Sequence, residues 1–192
     1  MFATSYKRSE HLLAAEDSLL LFIDIQEKFR KIITDMNTVI HNSSILQKSA
    51  TKLGIPIIIS EQYPNGLGTT VTEIEGFGMD DTPILEKLTM SALGEPTLFE
   101  KIKQQKKRQI IITGVETHIC VNQTVFDLLA NFDGWIYVVA DAVSSRREYD
   151  KTMALNRMRE AGAHIITTEM AVFEWLKEAG TPTFKEIQKL II

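Results

Sequence analysis

The sequence predicts an α/β fold in which helices cover both faces of a parallel sheet, and three observations carry that prediction. Short, continuously apolar runs recur along the 192 residues, with helix-like segments between them. The runs are apolar throughout rather than alternating, as expected of strands buried on both faces. Polar and reactive residues follow these runs, where open α/β sheets place their ligand sites. Right-handed crossovers then give a three-layer α/β/α sandwich.

Each element has its own signal. Ser18 to Asp24 (SLLLFID) is an apolar run ending in a carboxylate, and reads as the first strand. Asn37 to Leu53 carries Val39, Ile40, Ile45, Leu46, Ala50 and Leu53 at near-helical spacing, with Gly54 as the stop. Ile55 to Ser60 is a second strand. Glu61 to Gly78, rich in glycine and polar residues, reads as a long loop, and Thr82 to Glu86 as a short third strand. Pro96 to Gln105 is a helix with proline near its start. A strand over Arg108 to Gly114 leads into a helix over Thr117 to Leu129. Trp135 to Ala140 (WIYVVA) is the fifth strand, followed by a helix over Tyr149 to Ala161. His164 to Thr167 closes the strand set, and helices at Glu169–Glu178 and Pro182–Leu190 end the chain. No linker, repeat or low-complexity segment interrupts the pattern, so residues 1–192 read as one domain.

Composition narrows the function classes. The chain is 44% hydrophobic and 24% charged, with a mean hydropathy of −0.02. No apolar run reaches the ~18 residues of a membrane span, so no membrane partner is expected. Met1 to Glu16 lacks the basic-then-apolar layout of a secretory signal. One cysteine cannot form an internal disulfide, which makes a reducing, cytoplasmic setting the default. A net charge of −4 and a pI of about 5.6 argue against a nucleic-acid partner. The basic run Lys101, Lys103, Lys106, Lys107 and Arg108 reads as a solvated helix C-terminus, where cations meet the dipole favourably.

Asp24, Lys87 and Cys120 fall at or just beyond strand ends, as a base, a cation and a nucleophile would. Cys120 lies near a predicted helix N-terminus, whose unpaired N–H groups and dipole favour thiolate. Position alone leaves a second reading open, that of a small hydrophobe filling the strand–helix seam. Asp24 could equally cap the next helix, and Lys87 could be a solvated loop lysine. Gln26, Gln62 and Tyr63 are candidate pocket liners, with exposed loop positions as the alternative, and Glu61 shares that prospect. His118 lies two residues from Cys120, about 200° around a helix, and is expected to play a structural part.

The residues carry a resemblance. Asp24-Ile25-Gln26 after an apolar strand, Lys87-x-x-x-Ser91-Ala92-Leu93, Gly114-Val115-Glu116-Thr117-His118-Ile119-Cys120-Val121 and Asp141-Ala142-Val143-Ser144-Ser145-Arg146 together resemble the isochorismatase-like cysteine hydrolase superfamily. Ser60-Glu61-Gln62-Tyr63-Pro64-x-x-Leu67-Gly68 and Phe184-Lys185-Glu186-Ile187-Gln188 resemble its isochorismatase-domain-containing subgroup. The resemblance implies a six-stranded parallel sheet, a Rossmann-like arrangement, and a catalytic triad of Asp24, Lys87 and Cys120. In amidases of the superfamily the aspartate takes the thiol proton, the cysteine attacks a carbonyl, an amine leaves, and water hydrolyses the thioester. The lysine holds the other two in register, and its charge is expected to depress the thiol pKa. The resemblance also implies a cis peptide at Val115–Glu116, with the N–H groups of Glu116 and Cys120 forming an oxyanion hole.

Nicotinamidases of the superfamily bind a metal through an Asp-x-His motif after the second strand. Here that place holds Ser60-Glu61-Gln62-Tyr63, and the four histidines, His11, His41, His118 and His164, lack ligand spacing. No catalytic metal and no cofactor are expected. True isochorismatases lack the nucleophilic cysteine, so Cys120 favours acyl transfer over vinyl-ether cleavage. The expected partners are a small-molecule amide or carbamoyl-type substrate and further copies of the chain in a homo-oligomer (dimer or higher), with apolar Leu190-Ile191-Ile192 as one contact. The rival readings are a catalytically silent binding or scaffold protein on the same fold, an isochorismatase-type vinyl-ether hydrolase, and a nucleic-acid-processing enzyme.

Overall fold

The computed structural model describes residues 6–75 and 82–192. It contains six parallel strands: β1 (Ser18–Ile23), β2 (Ile57–Gln62), β3 (Ile84–Lys87), β4 (Gln109–Val115), β5 (Trp135–Ser144) and β6 (His164–Ile166). Their order across the sheet is β3-β2-β1-β4-β5-β6, so the chain winds outward from β1 in both directions. That reversal puts a crevice beyond the ends of β1 and β4. Helices α1 (Met36–Leu53), α2 (Pro64–Leu67), α3 (Thr72–Glu75), α4 (Pro96–Gln104), α5 (Asn122–Asn131), α6 (Glu148–Glu160), α7 (Thr168–Leu176) and α8 (Pro182–Gln188) complete the described elements.

The two-residue period of the strands divides the core. Leu20, Phe22, Ile57, Ile59, Ile111, Tyr137 and Val139 face one side, where α1, α7 and α8 pack. Leu19, Leu21, Ile23, Ile58, Ile110, Ile112, Ile136 and Val138 face the other, against α4, α5 and α6. Both faces are apolar, which is why the strands carry no alternation for a reader of the sequence. The six-stranded parallel sheet and its three layers agree with expectation.

The departures lie at element ends. β2 runs on through Glu61 and Gln62, because both pair with β3. The predicted loop over 61–78 also contains α2 and α3, and its last residues, 76–78, lie outside the described residues. β5 extends to Ser144, past the polar Asp141. The strand continues because Val143 and Ser144 pair with β4, while the Asp141 carboxylate accepts from the backbone N–H and hydroxyl of Thr168 at the start of α7. Cys120 occupies a wide π turn, Thr117–Val121, and α5 begins only at Asn122. Leu190 and Ile191 pack against the protein's own core, leaving Ile192 as the exposed part of the apolar C-terminal triplet.

Candidate active site

The first site residues are positioned by strand pairing. Ile23 pairs with Ser60 on one side and Gly114 on the other, so the residues that follow these three emerge together. Gly114 has φ +126 and lies so close to β1 that a Cβ would sit 1.9 Å from the Ile23 carbonyl oxygen. Only glycine allows β1 and β4 to approach this closely while the chain turns toward Cys120. Asp24 has φ 53, in the left-handed region, and its N–H donates to the Ser60 carbonyl. Its carboxylate is thereby turned back along the sheet edge, with no exposed surface. It does not cap the next helix.

Asp24 and Lys87 form an ion pair with 2.8 Å between Oδ2 and Nζ, both side chains fully buried. Oδ1 accepts from the Ser60 hydroxyl at 2.7 Å. The ammonium has three donors. Three acceptors surround it: Gln62 Oε1 at 2.6 Å, and the carbonyls of Thr89 and Met90, each at 3.2 Å. With Asp24 Oδ2, four acceptors share the three donors, and the fully buried carboxylate is also coupled to the Cys120 thiol. Breaking a buried pair of this kind by removing one partner typically costs about 3–5 kcal/mol.

Cys120 is 6% exposed and within electrostatic reach of both charges. Burial pushes its thiol up to about 12, and the Asp24 charge adds to the rise, while Lys87 pulls the other way. Burial also raises the Asp24 carboxyl above the usual carboxylate range, against the opposing effects of Lys87 and Ser60. The expectation that Lys87 and the helix end would favour thiolate is therefore corrected. Lys87 does act in that direction, but desolvation outweighs it, and the resting thiol is neutral.

The Val115–Glu116 peptide bond is cis. Glu116 Oε2 accepts from the backbone N–H and Nε of Arg146, both at 3.0 Å, and His118 Nδ1 lies 2.9 Å from the Ser145 hydroxyl. The end of β5 thus holds the Cys120 turn at two points, and His118 is engaged in that latch. Neither Ser145 nor Arg146 was singled out for this part from sequence. Opposite charge on Glu116 and Arg146 was legible, but their adjacency arises from β4–β5 pairing.

Gln26 is fully buried, and its amide is spent on backbone: Nε2 donates to the Gln62 and Gly68 carbonyls, and Oε1 accepts from the Gln62 N–H. Gln62 faces Lys87 across the β2–β3 register. Glu61 accepts from the N–H and hydroxyl of Thr70. Tyr63 is half exposed and lines a cavity of about 290 Å³ with Pro64, Glu86, Leu88 and Glu95, beside Lys87. Ser60, at the end of its strand, is a direct partner of Asp24. Its signal was present in the sequence: a hydroxyl at the end of the strand adjacent to the aspartate's.

Among the described residues, no group of three or more His, Cys, Asp or Glu side chains is arranged to hold a metal ion. The fold does bring two of the scattered histidines together. His11 and His164 have ring centroids 5.4 Å apart, packed with Trp135 and Tyr137 at the amino end of the sheet.

Comparison with known proteins places the chain among relatives of the same architecture. The family model described as Isochorismatase domain matches residues 18–170. Isochorismatase domain-containing protein 2 of Xenopus laevis is 40% identical over 94% of this chain and 86% of its own. The secreted isochorismatase effector Isc1 of Phytophthora sojae is 38% identical over 93% of this chain and 86% of its own. The solved structure of MAR1 ribonuclease from Caenorhabditis elegans is 38% identical with a TM-score of 0.87, covering 94% of this chain and 92% of that one.

Proposed function

This chain belongs to the isochorismatase family, and we propose that it is a cysteine hydrolase cleaving a small amide or carbamoyl-type C–N bond through a Cys120 thioester. The observation that carries the reading is the fully buried Asp24 carboxylate, paired with Lys87 and coupled to the Cys120 thiol. A buried acceptor beside a neutral thiol is arranged to take a proton when the thiol attacks. Oδ1, held by Ser60, fixes the carboxylate's orientation.

Sγ attacks the substrate carbonyl carbon as its proton moves to Asp24 Oδ2, giving a tetrahedral oxyanion. The N–H groups of Glu116 and Cys120 are assigned to that oxyanion, a placement in which each donor can be worth roughly 100- to 1,000-fold in rate. Collapse breaks the C–N bond, and Asp24 returns its proton to the departing nitrogen. Water then attacks the thioester, Asp24 taking the water proton and returning it to sulfur as the acid leaves. Lys87 stays charged throughout and compensates the carboxylate. The cycle closes without a metal or cofactor.

The test is an activity screen across amides, carbamoyl compounds and hydroxamates, with intact-mass detection of an acylated Cys120. Turnover with a mass shift that disappears in Cys120→Ala is the expected result. Turnover that survives Cys120→Ala sinks the thioester, and a chain that binds screen compounds without ever acylating is a silent binder. The same proposal includes a homo-oligomer, checked by light scattering, and a reducing compartment that keeps the thiol free. It also takes the net charge of −4 to exclude RNA as substrate, and an RNA gel shift at low salt would sink that part. No helix among the described residues is long and apolar enough to cross a membrane.

A further inference from the structure

Lys87 would ordinarily be expected to hydrogen-bond the carboxylate it neutralises. Here it lies 2.8 Å from Asp24 Oδ2 but divides its three donors among four acceptors. Gln62 supplies the shortest contact to the ammonium, 2.6 Å from Oε1 to Nζ, and the only side-chain amide among its acceptors. The orientation of that amide is fixed. Nε2 donates to the Leu88 carbonyl at 3.0 Å, so Oε1 must face the lysine. The Gln62 backbone is fixed as well, because Gln26 bonds both its N–H (2.9 Å) and its carbonyl (3.0 Å). Parallel pairing of Gln62 with Lys87 sets the two side chains on the same side of the sheet.

We infer that Gln62 is a positioning residue that competes with Asp24 for the donors of the Lys87 ammonium and so keeps Oδ2 a better acceptor of the thiol proton. This rests on the thioester reading above. Gln62, the Thr89 carbonyl, the Met90 carbonyl and Asp24 are four acceptors for the three donors of the ammonium. Without the glutamine, the nearest oxygen for the released N–H is Asp24 Oδ2, 2.8 Å away. A carboxylate oxygen already bonded to an ammonium is a poorer proton acceptor.

The test uses the full chain carrying Gln62→Leu, which removes the acceptor, or Gln62→Glu, which keeps the size and adds a charge. Cys120 acylation by p-nitrophenyl acetate is followed by intact mass across pH 5 to 9, with Cys120→Ala as blank and thermal unfolding as the folding control. Gln62→Leu is expected to acylate at least about tenfold more slowly at pH 7. Its acid limb should move to lower pH, because an Asp24 more fully bonded to Lys87 holds a proton less well. Gln62→Glu should move that limb to higher pH, because a second carboxylate shares the lysine. A glutamine that merely held the loop would not displace the limb in opposite directions. Coincident limbs in folded variants, with Asp24→Asn still abolishing acylation, overturn the Gln62 assignment and leave the thioester reading standing. Wild-type acylation in Asp24→Asn instead removes the base from that reading and overturns the Gln62 assignment with it. If Gln62→Leu does not fold, the isosteric Gln62→Glu carries the test alone.

Discussion

Cys120 and Asp24 are each buried, which raises both groups, and the Asp24 charge makes ionisation of the thiol more costly still. The thiol is therefore protonated at neutral pH, and in the proposed mechanism reactivity depends on handing its proton to Asp24 during attack rather than on a standing thiolate. Iodoacetamide, which offers no such coupled transfer, should label Cys120 slowly. With the thiol pushed up to about 12, the labelling rate should climb about tenfold per pH unit from 7 to 10 without levelling off. Asp24→Asn should label faster at every pH and Lys87→Met more slowly, because each removes one of the two opposing charges. A wild-type plateau near the ordinary thiol value of ~8.5 contradicts this account. Stability shares the same origin. Cys120 and Tyr137 are both raised to about 12 by burial, from reference values of 9.0 and 10.0. Each protonated form is favoured by folding, so its contribution is complete below the reference value and is lost as pH rises toward 12. Chemical denaturation should show stability falling between about pH 9 and 12, and Cys120→Ala with Tyr137→Phe should flatten that fall.

At the scale of elements, the site depends on how closely β1 and β4 approach. Gly114 is the position that permits it, and its φ of +126 is itself unsuited to any side chain. Gly114→Ala must force the Ile23 carbonyl aside, and should cost about 3 kcal/mol or more, by overpacking and backbone strain together. Equilibrium unfolding measures that cost, and loss of Cys120 acylation in the variant that still folds would report the displaced strand pair. Strand and helix existence could be read from apolar runs and helical spacing, as in SLLLFID and the α1 pattern. Ends could not. β2 reaches Gln62 because β3 is there to pair with it, and β5 reaches Ser144 because Val143 and Ser144 pair with Gly114 and Val115 of β4. The turn at Cys120 is wider than an α-helix. A local pattern of Thr, His, Ile and Cys carries no sign of that, nor of the contacts that Glu116 and His118 make with the residues after β5.

Across the whole molecule, the two ends of the sheet do different work. Beyond the carboxyl end lie Asp24, Lys87 and Cys120. Across the amino end, the segment from Arg8 to Ala14 folds over the sheet, with Gln109 bonding the Glu10 and Leu12 carbonyls and the Ala14 N–H. Arg8 and Leu13 meet Glu174 of α7, and Leu13 is fully buried. Leu13→Ala should therefore cost roughly 2–5 kcal/mol, read as a lowered unfolding midpoint. The alkylation profile of Cys120 should stay where it is, because the substitution lies at the far end of the strands. A shifted profile would mean that the two ends are coupled through the sheet.

The sequence by itself determined the strand and helix order, the parallel sheet, and the residue types at the strand ends. These follow from burial period and from local chain stops, which any stretch of residues carries within itself. It also supplied the family resemblance that joined Asp24, Lys87 and Cys120 into one candidate site. The tertiary structure decided the protonation of that site. A sequence shows a cysteine near a lysine and a helix end, but not how much water surrounds it, and here desolvation outweighs both. It likewise decided that Gln26 and Gln62 spend their amides on backbone and on Lys87, because hydrogen-bond partners are set by strand register between residues far apart in the chain.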